Sequence, residues 1–185
     1  MDFERVLRDL VREFSERKVR HALIGGFAMG ALGISRATMD LDFLVHRDDL
    51  PAVDGIMDRL LYRRVYRSEN VSQFVSDLAT LGQVDILHAF RQVSAGMLER
   101  AREITAFGGE LRIRVLQPGD IIGLKVQALA NDPLRERQEL LDIHLLAERF
   151  SAEIDWGRLR EYFALFERLG IYDELRKSYG PLERG

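Results

Sequence analysis

The sequence predicts a mixed α/β core followed by a helical subdomain. Two observations lead to this prediction. Up to residue 117, apolar residues switch between the three- and four-residue spacing of helices and the alternation of strands, whereas after Pro118 and Gly119 the spacing is helical almost throughout. The junction is too short for a flexible linker. We therefore expect an α/β core over residues 1–117, with a helical subdomain over residues 118–185 packed on it.

Composition limits the class of protein. The 185 residues are 46% hydrophobic and 31% charged, which suits a folded domain with a real core. The net charge is −3 without a basic stripe, so charge alone does not predict tight non-specific nucleic-acid binding. The absence of cysteine excludes disulfides and thiolate metal sites. No segment approaches the roughly 20 apolar residues of a membrane span, and we expect a cytoplasmic protein that does not contact membranes.

The first elements are a helix, a strand and a short helix. Helical spacing in the first segment is kept by its apolar side chains, namely Phe3, Val6, Leu7, Leu10, Val11 and Phe14. The stretch "RHALIGG" then indicates a short buried strand that ends at Gly25 and Gly26. "FAMGALG" indicates a short helix that stops at Gly33.

From Arg36 the pattern changes to strict alternation, which predicts a strand. One face carries polar residues, Arg36, Thr38, Asp40 and Asp42. The other face carries apolar residues, Ala37, Met39, Leu41 and Phe43. Because side chains alternate along a strand, we expect the first set on one face and the second set in the core.

The rest of the first part continues the mixed pattern. "DDLPAVDGIMDRLLY" predicts a helix with Pro51 in its first turn. Three strands are predicted over "RRVYRS", "SQFVSDL" and "GQVDILHAF", then a short helix over "AGMLERARE" and a strand over "ELRIRVLQ". Four helices follow, over "PGDIIGLKVQALA", "PLRERQELLDIHLLAERF", "DWGRLREYFALFERLG" and "YDELRKSYG".

Two aspartates interrupt the strand that begins at Arg36. Asp40 and Asp42 leave the same strand face, with Cβ atoms about 6–7 Å apart. Two carboxylates this close repel each other, and Mg²⁺ or Mn²⁺ with its preference for oxygen ligands is a natural partner. Asp85 in "QVDILHAF" is flanked by Val84 and Ile86, and it offers a third acid on a neighbouring strand.

The glycine pair supplies the other part of a site. Gly25 and Gly26 end a strand and open a helix, where a backbone can approach phosphate oxygens closely. Taken singly, a Gly-Gly turn or two surface aspartates have structural explanations. A phosphate cradle and a carboxylate metal site in one contiguous stretch together indicate nucleotide chemistry.

The pieces "LIGGFA", "RATMDLDFLV" and "QVDILH", in this order, resemble the nucleotidyltransferase superfamily related to DNA polymerase β. Two branches are most similar: the AbiEii-type toxins of toxin–antitoxin systems, and the small aminoglycoside and lincosamide nucleotidyltransferases. "IIGLKVQALA" and "ELLDIHLL" also resemble the AbiEii-type branch, whose helical part carries a lysine and then an aspartate, matched here by Lys125 and Asp142. The resemblance implies a polymerase β-like fold with a mixed sheet flanked by helices.

The resemblance also implies a role for individual residues. Gly25 and Gly26 would approach the triphosphate of an NTP, with Arg36 and Thr38 beside them as nucleotide-binding residues. Asp40, Asp42 and Asp85 would hold Mg²⁺ or Mn²⁺, and Asp85 would help to deprotonate the attacking hydroxyl. Lys125 would neutralise phosphate charge, and Asp142 would orient Lys125 or the acceptor.

Several of these residues have structural alternatives. Arg36 could pair with the Asp40–Asp42 face instead of binding phosphate. Lys125 could extend its ammonium group to solvent at the edge of a helix, and Asp142 could pair on the surface with Arg137 or Arg149. His88 and His144 lie close to the acids in sequence, and we assign a catalytic role to neither. Trp156, Leu159, Phe163 and Phe166 keep helical spacing and are expected to be core.

The sequence therefore predicts an enzyme that transfers an NMP group from an NTP to tRNA, protein or a small molecule. The resemblance adds a possible toxin–antitoxin role and a partner protein encoded nearby. The alternative is a catalytically silent binding module of the same fold, because "GGFAMGALG" is more apolar than the usual phosphate-binding loop and no serine follows its first glycine.

Overall fold

The computed structural model describes residues 1–181, so the last four residues of the predicted 118–185 subdomain lie outside the described part. The described chain divides into two compact units, of which the first ends at Leu116 and the second begins at Gln117. The first unit is mixed α/β and the second is helical, and the predicted mixed α/β class is confirmed. None of the described helices is both long and apolar enough to cross a membrane.

The first unit contains four α-helices, two short 3-10 helices and seven strands among its described residues. The helices are α1 (Phe3–Glu16), α2 (Gly25–Ala31), α3 (Leu50–Arg59) and α4 (Gln92–Arg100). The strands are β1 (His21–Ile24), β2 (Asp40–His46), β3 (Arg63–Arg67), β4 (Val71–Val75), β5 (Gln83–Ala89), β6 (Arg102–Ala106) and β7 (Leu111–Val115).

All seven strands form one mixed sheet, in the order β3-β4-β5-β2-β1-β7-β6. β2 runs parallel to β5, and β1 runs parallel to β7. The other four neighbouring pairs are antiparallel. The central position of β2 and β5 matters for the site, because these two strands carry the three aspartates singled out above.

The core of this unit lies between the sheet and α1 and α3. The spacing of α1 places Leu7, Leu10 and Phe14 on one fully buried face. The ring of Phe14 meets that of Phe43 on β2 edge-on, with centroids 5.4 Å apart. Such an aromatic contact adds to the burial energy, so α1 helps to fix the strand that carries Asp40 and Asp42.

The predicted strand over Arg36 to Phe43 is wrong in its first half. β2 begins only at Asp40, and residues 34–38 have no regular secondary structure. Met39, predicted in the core, is 83% exposed, whereas Leu41 and Phe43 are buried as predicted. Thr38 Oγ1 donates a hydrogen bond to the Asp40 carbonyl, a local bond that competes with strand pairing.

A second difference concerns the segment after α4. The predicted helix over "AGMLERARE" ends at Arg100, and the following residues form the edge strand β6, which the sequence pattern did not predict. β6 pairs with β7 in antiparallel register, Ile104 opposite Ile113. Tertiary pairing with β7 overrides the helical propensity of this short charged segment.

The second unit contains four helices among its described residues, α5 (Pro118–Asn131), α6 (Glu136–Phe150), α7 (Trp156–Leu165) and α8 (Leu169–Tyr179). The second predicted helix starts near Pro133, but this turn is a 3-10 helix and α6 begins at Glu136. Leu159 and Phe163 are buried within the unit, and Trp156 is nearly so. The expected core role is thereby confirmed for these three residues, whereas Phe166, which follows the end of α7, is only half-buried.

Candidate active site

The register between β2 and β5 places two of the predicted acids side by side. In the register of this parallel pair, Asp42 lies directly opposite Asp85, and Asp40 lies directly opposite Gln83. Neighbouring strands lie about 4.8 Å apart, and partner side chains in a parallel pair point to the same face. The structure therefore brings Asp40, Asp42 and Asp85 onto one patch of the sheet.

Strand alternation explains why the acids are there. Leu41 and Phe43 on β2, and Val84 and Ile86 on β5, are essentially fully buried on the opposite face. The intervening acids are half-buried on the face that α1 and α3 do not cover. A one-residue slip would exchange the two faces, so the apolar residues fix the position of the acids.

The patch is electrostatically unfavourable for its own carboxylates. The pKa of Asp40 is raised above its ordinary value, first because partial burial disfavours the charged form and second because the negative charge of Asp85 repels it. Asp85 is stabilised by neutral donors. Its Oδ1 accepts a hydrogen bond from Gln83 Nε2 at 2.9 Å, and its Oδ2 accepts one from Gln73 Nε2 at 3.2 Å.

The glycine pair lies against this patch. Gly25 has φ +68°, a conformation that favours glycine, and a Cβ there would overlap Asp42 Oδ2 and lie 2.7 Å from Asp42 Cγ. A Cβ on Gly26 would overlap Arg36 Nη1 and lie 2.8 Å from the Cβ of Thr38. Only glycine leaves room at these two positions.

The structure thus gathers the predicted nucleotide-binding residues beside Asp42. Arg36 and Thr38 lie over Gly26 although neither belongs to β2. Arg36 Nη1 also donates a hydrogen bond to the Ala37 carbonyl at 3.2 Å. The resulting arrangement is a glycine backbone with a guanidinium group on one side and a carboxylate on the other, which is a suitable set of groups for a phosphate and its counter-ion.

The strand acids supply oxygen ligands of the kind that a divalent cation binds. Within residues 1–181, no three His, Asp or Glu side chains already form a metal-binding group. The chemistry of the strand acids nevertheless fits Mg²⁺ or Mn²⁺, because both are held by carboxylate oxygens, commonly one or two together with substrate phosphates. A cation would also offset both causes of the raised pKa of Asp40, which are partial burial first and the charge of Asp85 second.

Lys125 and Asp142 form a separate cluster within the helical unit. Lys125 Nζ donates to Asp142 Oδ2 at 2.5 Å and to Glu139 Oε2 at 2.9 Å. Asp142 is fully buried, and Lys125 is 6% exposed. The alternative of a solvent-directed Lys125 is therefore wrong, and so is that of Asp142 pairing on the surface, because α5 and α6 pack these groups against each other.

Three residues of these two clusters were not recognised from the sequence. Gln83 lies two positions before Asp85 on the same strand face, so strand alternation could have indicated it. Glu139 precedes Asp142 by one helical turn, and its spacing could likewise have indicated it. Gln73 reaches Asp85 only through the pairing of β4 with β5, which no local pattern reveals.

The two histidines near the acids have structural partners. One ring nitrogen of His88 contacts Ser72 Oγ at 2.9 Å and the other the Glu69 carbonyl at 2.9 Å. Burial lowers the pKa of His88 below its ordinary value. His144 Nδ1 lies 3.2 Å from the Tyr179 hydroxyl. These contacts agree with leaving both histidines without a catalytic role.

Comparison with known families decides the class of the protein. Residues 2–171 match the family described as "Uncharacterised nucleotidyltransferase". The chain belongs to this family. Membership places it among enzymes that transfer a nucleotidyl group, and it supports NMP transfer as the general activity. Among curated proteins, none matches the sequence.

Solved structures share the fold at low sequence identity. The antibiotic-resistance factor ANT(2'')-Ia superposes with a TM-score of 0.66 at 17% identity, over 96% of this chain and 98% of that one. A nucleotidyltransferase-like protein from Paracoccidioides brasiliensis gives 0.57 at 16%, over 97% and 94%. The lincosamide antibiotic adenylyltransferase LnuA gives 0.51 at 15%, over 64% and 83%.

These matches confirm the predicted nucleotidyltransferase fold and its occurrence in aminoglycoside- and lincosamide-modifying proteins. At such identities they establish the fold and leave the substrate of this chain open. The closer resemblance to AbiEii-type toxins stays a prediction.

Proposed function

We propose that the protein is a metal-dependent nucleotidyltransferase that moves an NMP group from an NTP to an acceptor hydroxyl. One observation carries the proposal: β2 and β5 place Asp42 opposite Asp85, and Gly25 packs directly on the Asp42 carboxylate. A triphosphate over the glycines would lie next to these acids. Family membership supports the same class of reaction.

Each residue of the patch has a proposed part. Asp40, Asp42 and Asp85 hold Mg²⁺ or Mn²⁺, which when bound neutralises charge on the triphosphate and on the leaving pyrophosphate. Gly25 and Gly26 leave room for the phosphates, and Arg36 and Thr38 bind them from the other side. The placement of these side chains around the glycine pair supports this assignment.

The reaction is an in-line substitution at the α-phosphorus. The acceptor oxygen forms a bond to this phosphorus, the bond from the phosphorus to the bridging oxygen breaks, and pyrophosphate leaves. Asp85 accepts the proton of the attacking hydroxyl. Asp85 is held by two neutral amides and has no cationic partner among its described hydrogen bonds and ion pairs, which suits a proton acceptor.

For the helical unit we propose that Asp142 orients Lys125 and that the ammonium group neutralises phosphate charge. The hydrogen bond between Lys125 and Asp142 supports the orienting role. Among the described hydrogen bonds, those to Glu139 and Asp142 use two of the three donors of the ammonium group.

The acceptor is proposed as a small molecule, tRNA or a protein. A small molecule is supported by the fold shared with ANT(2'')-Ia, which was solved in complex with adenylyl-2''-tobramycin and superposes with a TM-score of 0.64. The resemblance to AbiEii-type toxins supports tRNA or protein instead, together with a toxin–antitoxin role and a partner protein encoded nearby.

The test is transfer of label from each α-labelled NTP, with Mg²⁺ or Mn²⁺, into the RNA, protein and small-molecule fractions of a cell extract. The Asp40→Ala/Asp42→Ala variant should lose at least about a thousandfold in rate, because it removes several kcal/mol of charge stabilisation. Asp58→Ala, which removes an exposed acid of α3, should keep the wild-type rate.

A catalytically silent binding module is the second candidate. It is favoured by the segment "GGFAMGALG", which is more apolar than the usual phosphate-binding loop and has no serine after its first glycine. No labelled product together with no NTP-dependent rise in melting temperature would favour this module. A rise in melting temperature without product would instead indicate that the correct acceptor was missing.

A further inference from the structure

We propose that Gln73 and Gln83 are positioning residues that set the direction in which Asp85 presents its oxygen lone pairs. This inference rests on the proposed function, because it concerns how Asp85 meets the divalent cation and the acceptor hydroxyl. Gln73 lies outside the motif pieces by which the family resemblance was identified, and Gln83, although it is the first residue of "QVDILH", was given no role by that resemblance. Their position is a property of the three-strand pairing β4-β5-β2.

Gln83 reaches Asp85 along its own strand. The two residues are separated by Val84, so their side chains share one face of β5, and the Gln83 amide donates to Asp85 Oδ1 at 2.9 Å. Gln83 is also the cross-strand partner of Asp40. The neutral amide of Gln83 therefore neighbours both Asp40 and Asp85, whose carboxylates repel each other.

Gln73 reaches Asp85 from the opposite side. It is the antiparallel partner of Asp85 on β4, and its amide donates to Oδ2 at 3.2 Å. Across the sheet, Asp42, Asp85 and Gln73 consequently form one row on the same face. Asp85 lies between an acid on one side and an amide donor on the other.

Two amides acting on different oxygens fix the plane of the carboxylate. Each carboxylate oxygen has two lone pairs, so one amide bond on each oxygen leaves one lone pair per oxygen for a ligand. The amides add no charge and are therefore compatible with a cation nearby. Hydrogen-bond partners of this kind typically contribute a factor of about 10–100 in metal affinity or activity.

The test uses Gln73→Met and Gln83→Met in the full chain, because methionine keeps the unbranched shape and removes the donor. Mn²⁺ binding to the free protein is followed by electron paramagnetic resonance, and the melting temperature is recorded for every variant. We expect the half-saturating Mn²⁺ concentration to rise about tenfold in each variant. Gln92→Met, at an exposed position at the start of α4, is the matched control and should bind as the wild type.

The Asp85→Asn background separates positioning from a general structural role. If the glutamines act through Asp85, adding Gln83→Met to Asp85→Asn should change Mn²⁺ binding less than twofold. A full tenfold effect in that background would overturn the inference, because the glutamine would then act independently of Asp85. Unchanged Mn²⁺ binding in both single variants would overturn it as well.

Failure of the inference and failure of the proposed function give different results. Weakened Mn²⁺ binding in Asp85→Asn, with wild-type binding in both glutamine variants, rejects the positioning role and keeps the metal site. Wild-type binding and wild-type transfer in Asp85→Asn reject the metal site itself, and the positioning role with it.

Discussion

Asp85 on β5 and Asp142 on α6 are both acids flanked by apolar residues, but their partners differ. Asp142 is fully buried and bonds a lysine, so its charge is balanced inside the helical unit. Asp85 is half-buried, is bonded by two glutamine amides and stands next to two further acids. The first group contains a cation of its own, whereas the second has only neutral donors among its described partners and retains a negative field that a cation can use.

The comparison shows how the depth of burial distinguishes two aspartates: one needs a partner within the protein, and the other can remain available to a ligand. A fully buried carboxylate needs a cationic partner, because transferring an isolated charge from water costs several kcal/mol. A half-buried carboxylate can remain near a like charge at moderate cost, and the pKa of Asp40 is raised first by its partial burial and second by the charge of Asp85. Replacing a charge should therefore have opposite effects on stability in the two groups.

The largest effect on stability is expected for Lys125→Met. It leaves the buried carboxylates of Glu139 and Asp142 without this cation, and breaking such a group typically costs about 3–5 kcal/mol. Urea unfolding measures the change, with Lys177→Met at an exposed position of α8 as control. A loss below about 1 kcal/mol would show that the helical cluster is not neutralised through Lys125.

The next effect is expected for Gly25→Ala. The positive φ of Gly25 costs an alanine about 1–2 kcal/mol, and the added methyl would push on the Asp42 carboxylate. We therefore expect lower stability together with weaker NTP binding, measured by unfolding and by equilibrium titration. Gly30→Ala is the matched control in the same helix, because a Cβ there meets no atom within 4 Å, and it should be neutral or slightly stabilising. Equal effects of the two substitutions would contradict the proposed cradle.

A smaller effect of opposite sign is expected for Asp40→Asn. Removing one of the neighbouring like charges should stabilise the protein by about 0.5 kcal/mol at pH 7 without divalent cations. The measurement is urea unfolding beside Asp58→Asn, an exposed acid of α3. If Asp40→Asn destabilises the protein, then the strand acids are stabilising in the same way as the helical ones and the comparison fails.

The smallest effect is expected for His21, which lies in neither acidic group and makes the stability of the protein depend on pH. Burial lowers the pKa of His21 below its ordinary 6.5, and His21 Nδ1 lies 2.8 Å from the Val19 carbonyl. The unfolded chain thus binds more protons just below pH 6.5, so the stability contributed by His21 is complete above this pH and is lost as the pH falls. His21→Asn, which keeps a donor near Nδ1, should weaken this dependence in unfolding experiments at pH 7.5 and 5.5. An unchanged dependence would assign it to other groups.

Much of the fold could be predicted from local patterns. The alternation in "DLDFLV" places Leu41 and Phe43 in the core and the aspartates on the other face, as observed. The helical spacing of the first segment likewise predicts α1 and its buried face. These patterns suffice because side-chain direction in a helix or strand follows from the backbone repeat alone.

Local patterns failed where non-local pairing decides. Residues 36–39 alternate like a strand, but they lie outside the ladder of β2, and Met39 is exposed. β6 was missed because its partner β7 supplies the bonds that hold it extended. For Lys125 and Asp142 the sequence left a surface position open as an alternative, and only the packing of α5 against α6 decides that both are buried together.

The sequence by itself determined the mixed class, the buried faces of its helices and strands, and the presence of three acids and a glycine pair in family order. Only the tertiary structure decided that Asp42 stands opposite Asp85, that Gly25 lies against Asp42, and that Gln73 and Gln83 hold Asp85. The physical reason is that, apart from the local bond of Gln83 to Asp85 along β5, each of these contacts depends on strand register or on close packing between distant segments. Register is set by the fit of the whole buried sheet face, which no single segment contains.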